Sequence, residues 1–130
     1  VGKLALQLVY YRGHECRASK WASSGEQLAR VMNRIDCQSG TTQIERVLNH
    51  VLRESAGVQG VIFIGDALEE PLKVLADMAG QLGRQGVPLF MFQEGRDKHV
   101  RNAYRLLSLR SGGSYFVRWA RILAGAEPAL

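Results

Sequence analysis

The run Val61-Ile62-Phe63-Ile64-Gly65-Asp66 decides how the rest of the chain is read. Its leading residues are apolar without alternation, the pattern of a strand covered on both faces in a parallel sheet. Asp66 follows where such a strand ends, and open α/β sheets place their ligand chemistry just beyond the carboxyl ends of the strands. Upstream, Ser39-Gly40-Thr41-Thr42-Gln43-Ile44 opens a helical pattern and brings hydroxyl groups toward the same sheet edge. A carboxylate beside a hydroxyl is a pair of hard oxygen donors, which suits a divalent cation.

Outward from that run, the chain alternates strands and helices. Lys3 to Arg12 is apolar at both odd and even positions, as expected of an interior strand. Gly13-His14 offers a tight turn, and Glu15 to Trp21 returns as a short antiparallel edge strand. Leu28, Val31, Met32 and Ile35 make one apolar helical stripe behind Ser23, Ser24 and Gly25. Ile44, Val47, Leu48, Val51 and Leu52 make another, with Glu45, Arg46, Asn49 and Arg53 on its opposite face and Thr41 or Thr42 as its cap.

Beyond Asp66, the spacing predicts a helix over Leu68 to Gln85, with Leu72, Leu75, Met78, Ala79 and Leu82 inward and Pro71 in the first turn. Gly80, Gly83 and Gly86 lie at the end of that helix and before a strand, the reverse of the order a phosphate-binding loop requires. Gly86 reads as the helix stop, the other two as close-packing or breaker positions. Val87 to Phe92 is the next strand, and Asp97 caps a helix carrying Val100, Ala103, Tyr104 and Leu107. Ser111-Gly112-Gly113 breaks it before a strand at Ser114 to Val117, and Trp119 to Leu130 is read as a short helix and tail. The whole is one three-layer α/β domain, mainly parallel, with right-handed crossovers and helices on both faces of the sheet.

Size and charge narrow the function. The 130 residues, 46% of them hydrophobic, suffice for one buried core. The excess of 17 basic over 12 acidic residues is scattered along the chain rather than gathered with aromatics, which argues against nucleic-acid binding. Cys16 and Cys37 form no CxxC pair and are too few for a disulfide scaffold, so a reducing, cytoplasmic home is expected. No apolar run approaches the ~20 residues that span a bilayer.

The order of motifs resembles a von Willebrand factor A (vWA) domain: an alternating strand, a small edge hairpin, a Gly-Thr loop opening a helix, and an apolar strand ending in Asp. The resemblance implies a Rossmann-like sheet and a metal-ion-dependent adhesion site, where Mg²⁺ completes its coordination with an acidic group from a protein partner. In the family a Thr in a Gly-Gly-Thr-x-Ile/Leu loop supplies one hydroxyl, and Gly40-Thr41-Thr42-Gln43-Ile44 puts Thr42 at that position. A second loop reads Thr-Asp-Gly after a strand; Ile64-Gly65-Asp66-Ala67 keeps the Asp but neither neighbour. The family's DxSxS element, on its first and central strand, would precede Leu4 to Tyr11, so the resemblance implies that residues 1–130 are a truncated vWA-like domain. Its absence leaves unpaired strand edges, so the Leu4 and Val61 strands must pair directly, or another chain or segment must supply a strand, with self-association one outcome.

The site implied is therefore Thr42 and Asp66 around Mg²⁺, with Glu69 and Glu70 as second-choice ligands placed in the first turn of the following helix. The plainer role for Thr42 and Asp66 is capping the helices that follow them. His14, Cys16 and Cys37 fit no familiar zinc spacing, and Ser39 and Ser114 sit in no nucleophile elbow. Glu94 with Asp66 would be an acid-base pair only if their side chains converged. Trp21, Tyr10, Tyr11, Phe90 and Phe92 are read as core or edge packing, and Trp119 as an exposed aromatic. The expected function is non-catalytic protein recognition. A metal-assisted hydrolase at the same edge and a metal-free self-associating fragment are the alternatives.

Overall fold

The computed structural model describes residues 5–35 and 40–118. Cys37, Ser39 and Trp119 to Leu130, all read above, lie outside those residues, as does the start of the first expected strand.

Val9–Arg12 (β1) and Glu15–Ala18 (β2) pair antiparallel, Val9 opposite Ala18 and Arg12 opposite Glu15. The hairpin is as expected, but β1 starts later than the apolar run from Lys3 predicts. The Leu8 N–H donates to the Ser19 hydroxyl (2.9 Å) instead of to a strand carbonyl, and beyond it only an isolated bridge joins Leu6 to Ala22. Gly25–Met32 (α1) follows, its first turn held by Ser24, whose hydroxyl accepts from the Gln27 N–H at 3.2 Å. The apolar stripe of α1 exists by spacing yet buries none of the helix's residues. Trp21, expected in packing, is 52% exposed.

Ile44–Glu54 (α2) carries Ile44, Val47, Leu48 and Val51 into the core, and a single 3-10 turn, Ser55–Gly57, ends it. Val61–Gly65 (β3), Leu89–Glu94 (β4) and Ser114–Arg118 (β5) then form a parallel sheet in the order β3-β4-β5. Leu72–Arg84 (α3) and Lys98–Ser111 (α4) connect its strands. Helix α3 is shorter than predicted at its start because Pro71, with no N–H to give, stands at its N-cap. It stops at Gly86, as read from the sequence, where φ is +75° and a side chain would be strained. Gly83 lets α3 and α4 approach: a Cβ there would lie 2.6 Å from the Arg110 carbonyl oxygen.

One core joins α2, α3 and α4 to a single face of this sheet, the face carrying Phe63, Leu89 and Met91. The other face presents Ile62 (69% exposed), Ile64 and Phe116, with Phe92 stacked on Phe116 at 4.5 Å between ring centres. The unalternated run Val61 to Ile64 thus does not mean burial on both sides. Among the described residues no helix covers the second face, which corrects the expectation of helices on both faces. The hairpin and the parallel sheet are also separate: β1 does not pair with β3, which among the described residues has β4 on one side only. Direct pairing of those two strands, one of the expected outcomes, does not occur. The observed architecture is α/β, with a three-stranded parallel sheet, its helices and a separate hairpin tied to α2.

Candidate functional site at the rim of the parallel sheet

The rim begins where β3 ends. A Cβ on Gly65 would lie 2.7 Å from the Tyr104 hydroxyl and 2.9 Å from Cε1 of Phe63, so glycine is what lets Tyr104 reach this point. Tyr104 is fully buried, stands edge-on to Phe63 at 5.7 Å, and donates its hydroxyl proton to the Ala67 carbonyl at 2.7 Å. The loop that opens with Asp66 is therefore fastened from beneath, while Asp66 itself stays exposed.

That loop is also fastened from the side, by the start of α2. The Thr42 hydroxyl donates to Oε1 of Glu70 at 2.6 Å and accepts from the Glu69 N–H at 2.9 Å. The Thr42 N–H donates to Oε1 of Glu69 at 2.7 Å, and the Glu45 N–H donates to Oε2 of Glu70 at 2.7 Å. These contacts correct the capping roles read from the sequence. Helix α2 takes Gln43, not Thr41 or Thr42, at its N-cap position, and Gln43 makes no capping bond. The Gln43 amide instead donates to the Gly13 carbonyl at 3.0 Å, tying α2 to the hairpin turn. The unpaired amide in the first turn of α2 is satisfied by Glu70, which is distant in sequence. Asp66 does not cap α3, which starts six residues later, and Glu69 and Glu70 precede that helix rather than occupying its first turn.

The electrostatics gather on Tyr11. Burial pushes its phenol well above the ordinary tyrosine range, and the carboxylates of Glu70, Asp66 and Glu69, then Cys16, push in the same direction. Tyr104 is raised likewise, first by burial, then by Tyr11 and Asp66. The hydrogen bonds set Thr42 against Glu69 and Glu70, in the loop that Asp66 opens.

The groups there are oxygen donors, the chemistry a hard cation prefers. Thr42 has spent its proton on Glu70 and one lone pair on Glu69, which leaves one lone pair for a ligand. Among the described residues, no three His, Cys, Asp or Glu side chains are arranged to hold a metal ion. The Thr42 hydroxyl and the Asp66 carboxylate are oxygen donors of the class that Mg²⁺ prefers.

The chain matches no protein-family model and no curated protein sequence.

Other sequence candidates fall elsewhere. His14 is exposed and its carbonyl accepts from Arg46 at 2.9 Å. Cys16 is a free thiol whose pKa is raised by burial. Glu94 ends β4 and Ser114 begins β5, with no hydrogen bond between Glu94 and Asp66 among the described residues. Asp97 caps α4 as expected, accepting from the Val100 N–H at 3.1 Å. Sequence reasoning missed the bridging role of Glu70 and the bond from the Tyr104 hydroxyl to the Ala67 carbonyl. Two adjacent glutamates before Pro71, too early for the helix, were the available signal.

Proposed function

We propose that this chain is a non-catalytic protein-interaction domain of vWA-like arrangement, whose contact site is the rim at Thr42 and Asp66. One observation carries the reading: the loop opened by Asp66 is held against Thr42 through Glu69 and Glu70. Three of the four oxygen-bearing side chains there act as joints, and Asp66 is left exposed to solvent. A group so placed is suited to contact rather than to bond breaking. Asp66 and Thr42 would be the residues to hold a divalent cation such as Mg²⁺. Bound there, it would offer open positions to an acidic side chain of a protein partner. No helix among the described residues is long and apolar enough to cross a membrane, and a cytoplasmic setting is part of the proposal.

Calorimetric titration with Mg²⁺ or Mn²⁺ tests it: saturable binding that disappears in Asp66→Ala is the expected result. Metal-dependent turnover of a phosphorylated or carboxylated substrate would replace it with the hydrolase reading.

A specific observation favours self-association as a second reading. Ile62 and Ile64 of β3 and Phe116 of β5 expose apolar surface, and among the described residues β3 is paired on one side only.

A further inference from the structure

The exposed face of α2 does not simply meet solvent. Arg46, Asn49, His50 and Arg53 recur at helical spacing, and opposite them strand β2 sets Arg17 and Cys16. Between the two lies a cavity of about 320 Å³ lined by these six residues, Val9 and Ala18. Among the described residues no carboxylate lines it.

The cations around this cavity are only partly neutralised. Arg17 pairs at 2.8 Å with Glu15, which also holds Arg12 at 3.1 Å. Arg46 uses one nitrogen on the His14 carbonyl and on Oε1 of Gln43, at 2.9 and 2.6 Å. Those acceptors fix the guanidinium in place without cancelling its charge. His50 is positioned by its Nε2 contact with Gln7 at 2.9 Å. Arg53 has no ion-pair partner among the described residues. Both Arg46 and Arg53 favour the thiolate of Cys16 against the larger effect of burial, which places their positive field inside the cavity.

Like charges held around one concavity repel unless an anion joins them, and guanidinium groups match phosphate oxygens with paired N–H donors. The volume falls at the lower end of small-ligand pockets, roughly 300 to 1,000 Å³, too small to admit a folded partner. We propose that this cavity binds a phosphoryl group, either free phosphate or the phosphate of a small phosphomonoester. Arg46 and Arg53 would be its principal ligands, with Arg17, Asn49 and His50 completing the ring. The site is separate from the Thr42 and Asp66 rim and does not depend on a metal.

The test is isothermal titration of the full chain with inorganic phosphate, and then with phenyl phosphate, at constant low ionic strength. One-to-one binding is expected, weakened at least tenfold in Arg53→Gln and unchanged in Arg110→Gln, which alters an exposed arginine at the end of α4. Tighter binding of phenyl phosphate assigns the site to a phosphomonoester; equal or weaker binding assigns it to free phosphate. Either outcome supports the proposal. No saturable binding of either ligand, or equal weakening in Arg53→Gln and Arg110→Gln, overturns it. Circular dichroism of Arg53→Gln guards against loss of fold, and because that residue is exposed its spectrum is expected to match the parent.

Discussion

Thr42 and Glu70, 28 positions apart in the chain, are joined by a 2.6 Å hydrogen bond from hydroxyl to carboxylate. The same carboxylate accepts the Glu45 N–H through its other oxygen. One acidic side chain thus holds the loop after β3 onto the first turn of α2, where its charge also favours the positive end of the helix.

Removing that joint weakens the fold. Glu70→Ala is expected to cost about 1–2 kcal/mol, the range of a lost helix cap reinforced by charge. A lower urea midpoint at unchanged slope reports it. Thr42→Val and Glu70→Ala combined are expected to cost less than their sum, because both remove the same bond. Strict additivity would show the two residues to be independent.

Gly65 and Tyr104 form a second coupled pair. Gly65→Ala places a methyl against a buried ring that cannot retreat, at an expected cost of about 1–3 kcal/mol. Tyr104→Phe loses the bond to Ala67, about 1 kcal/mol. The double variant is expected to be more stable than the sum predicts, since removing the hydroxyl relieves the nearer of the two contacts. Denaturant unfolding of all four proteins decides this.

Alkaline pH is expected to destabilise the protein through Tyr11 and Tyr104. Both phenols are raised in the folded state, so they favour folding fully below the ordinary tyrosine range, and the advantage is lost as pH rises through it, from about pH 10 upward. Tyr11→Phe is expected to flatten the fall in stability measured between roughly pH 9 and pH 11. An unchanged slope would remove Tyr11 from the explanation.

The uncovered sheet face and the core make opposite predictions. Ile62→Lys is expected to alter stability by less than about 0.5 kcal/mol, as exposed substitutions do, while reducing any self-association seen by light scattering. Leu75→Ala, at a fully buried position, is expected to cost about 2–5 kcal/mol. A large loss from Ile62→Lys in a monomer would mean that this face is covered.

Residue spacing by itself determined the helices at Ile44, Leu72 and Lys98, because each repeats its apolar positions at the period of one helical face. It also determined the β1-β2 hairpin, the Gly86 stop and the Asp97 cap, all of which rest on neighbours in the chain, and the alternation of strand with helix that makes the later strands parallel. Only the tertiary structure decided what covers each face, since Val61 to Ile64 has the same local pattern whether one layer or two packs on it. It alone decided that Glu70, rather than Thr42, serves the start of α2, because that bond closes a long loop that no local spacing records. The same holds for Arg46 and Arg53. By periodicity they lie on a solvated face, and only the fold sets Arg17 across a cavity from them.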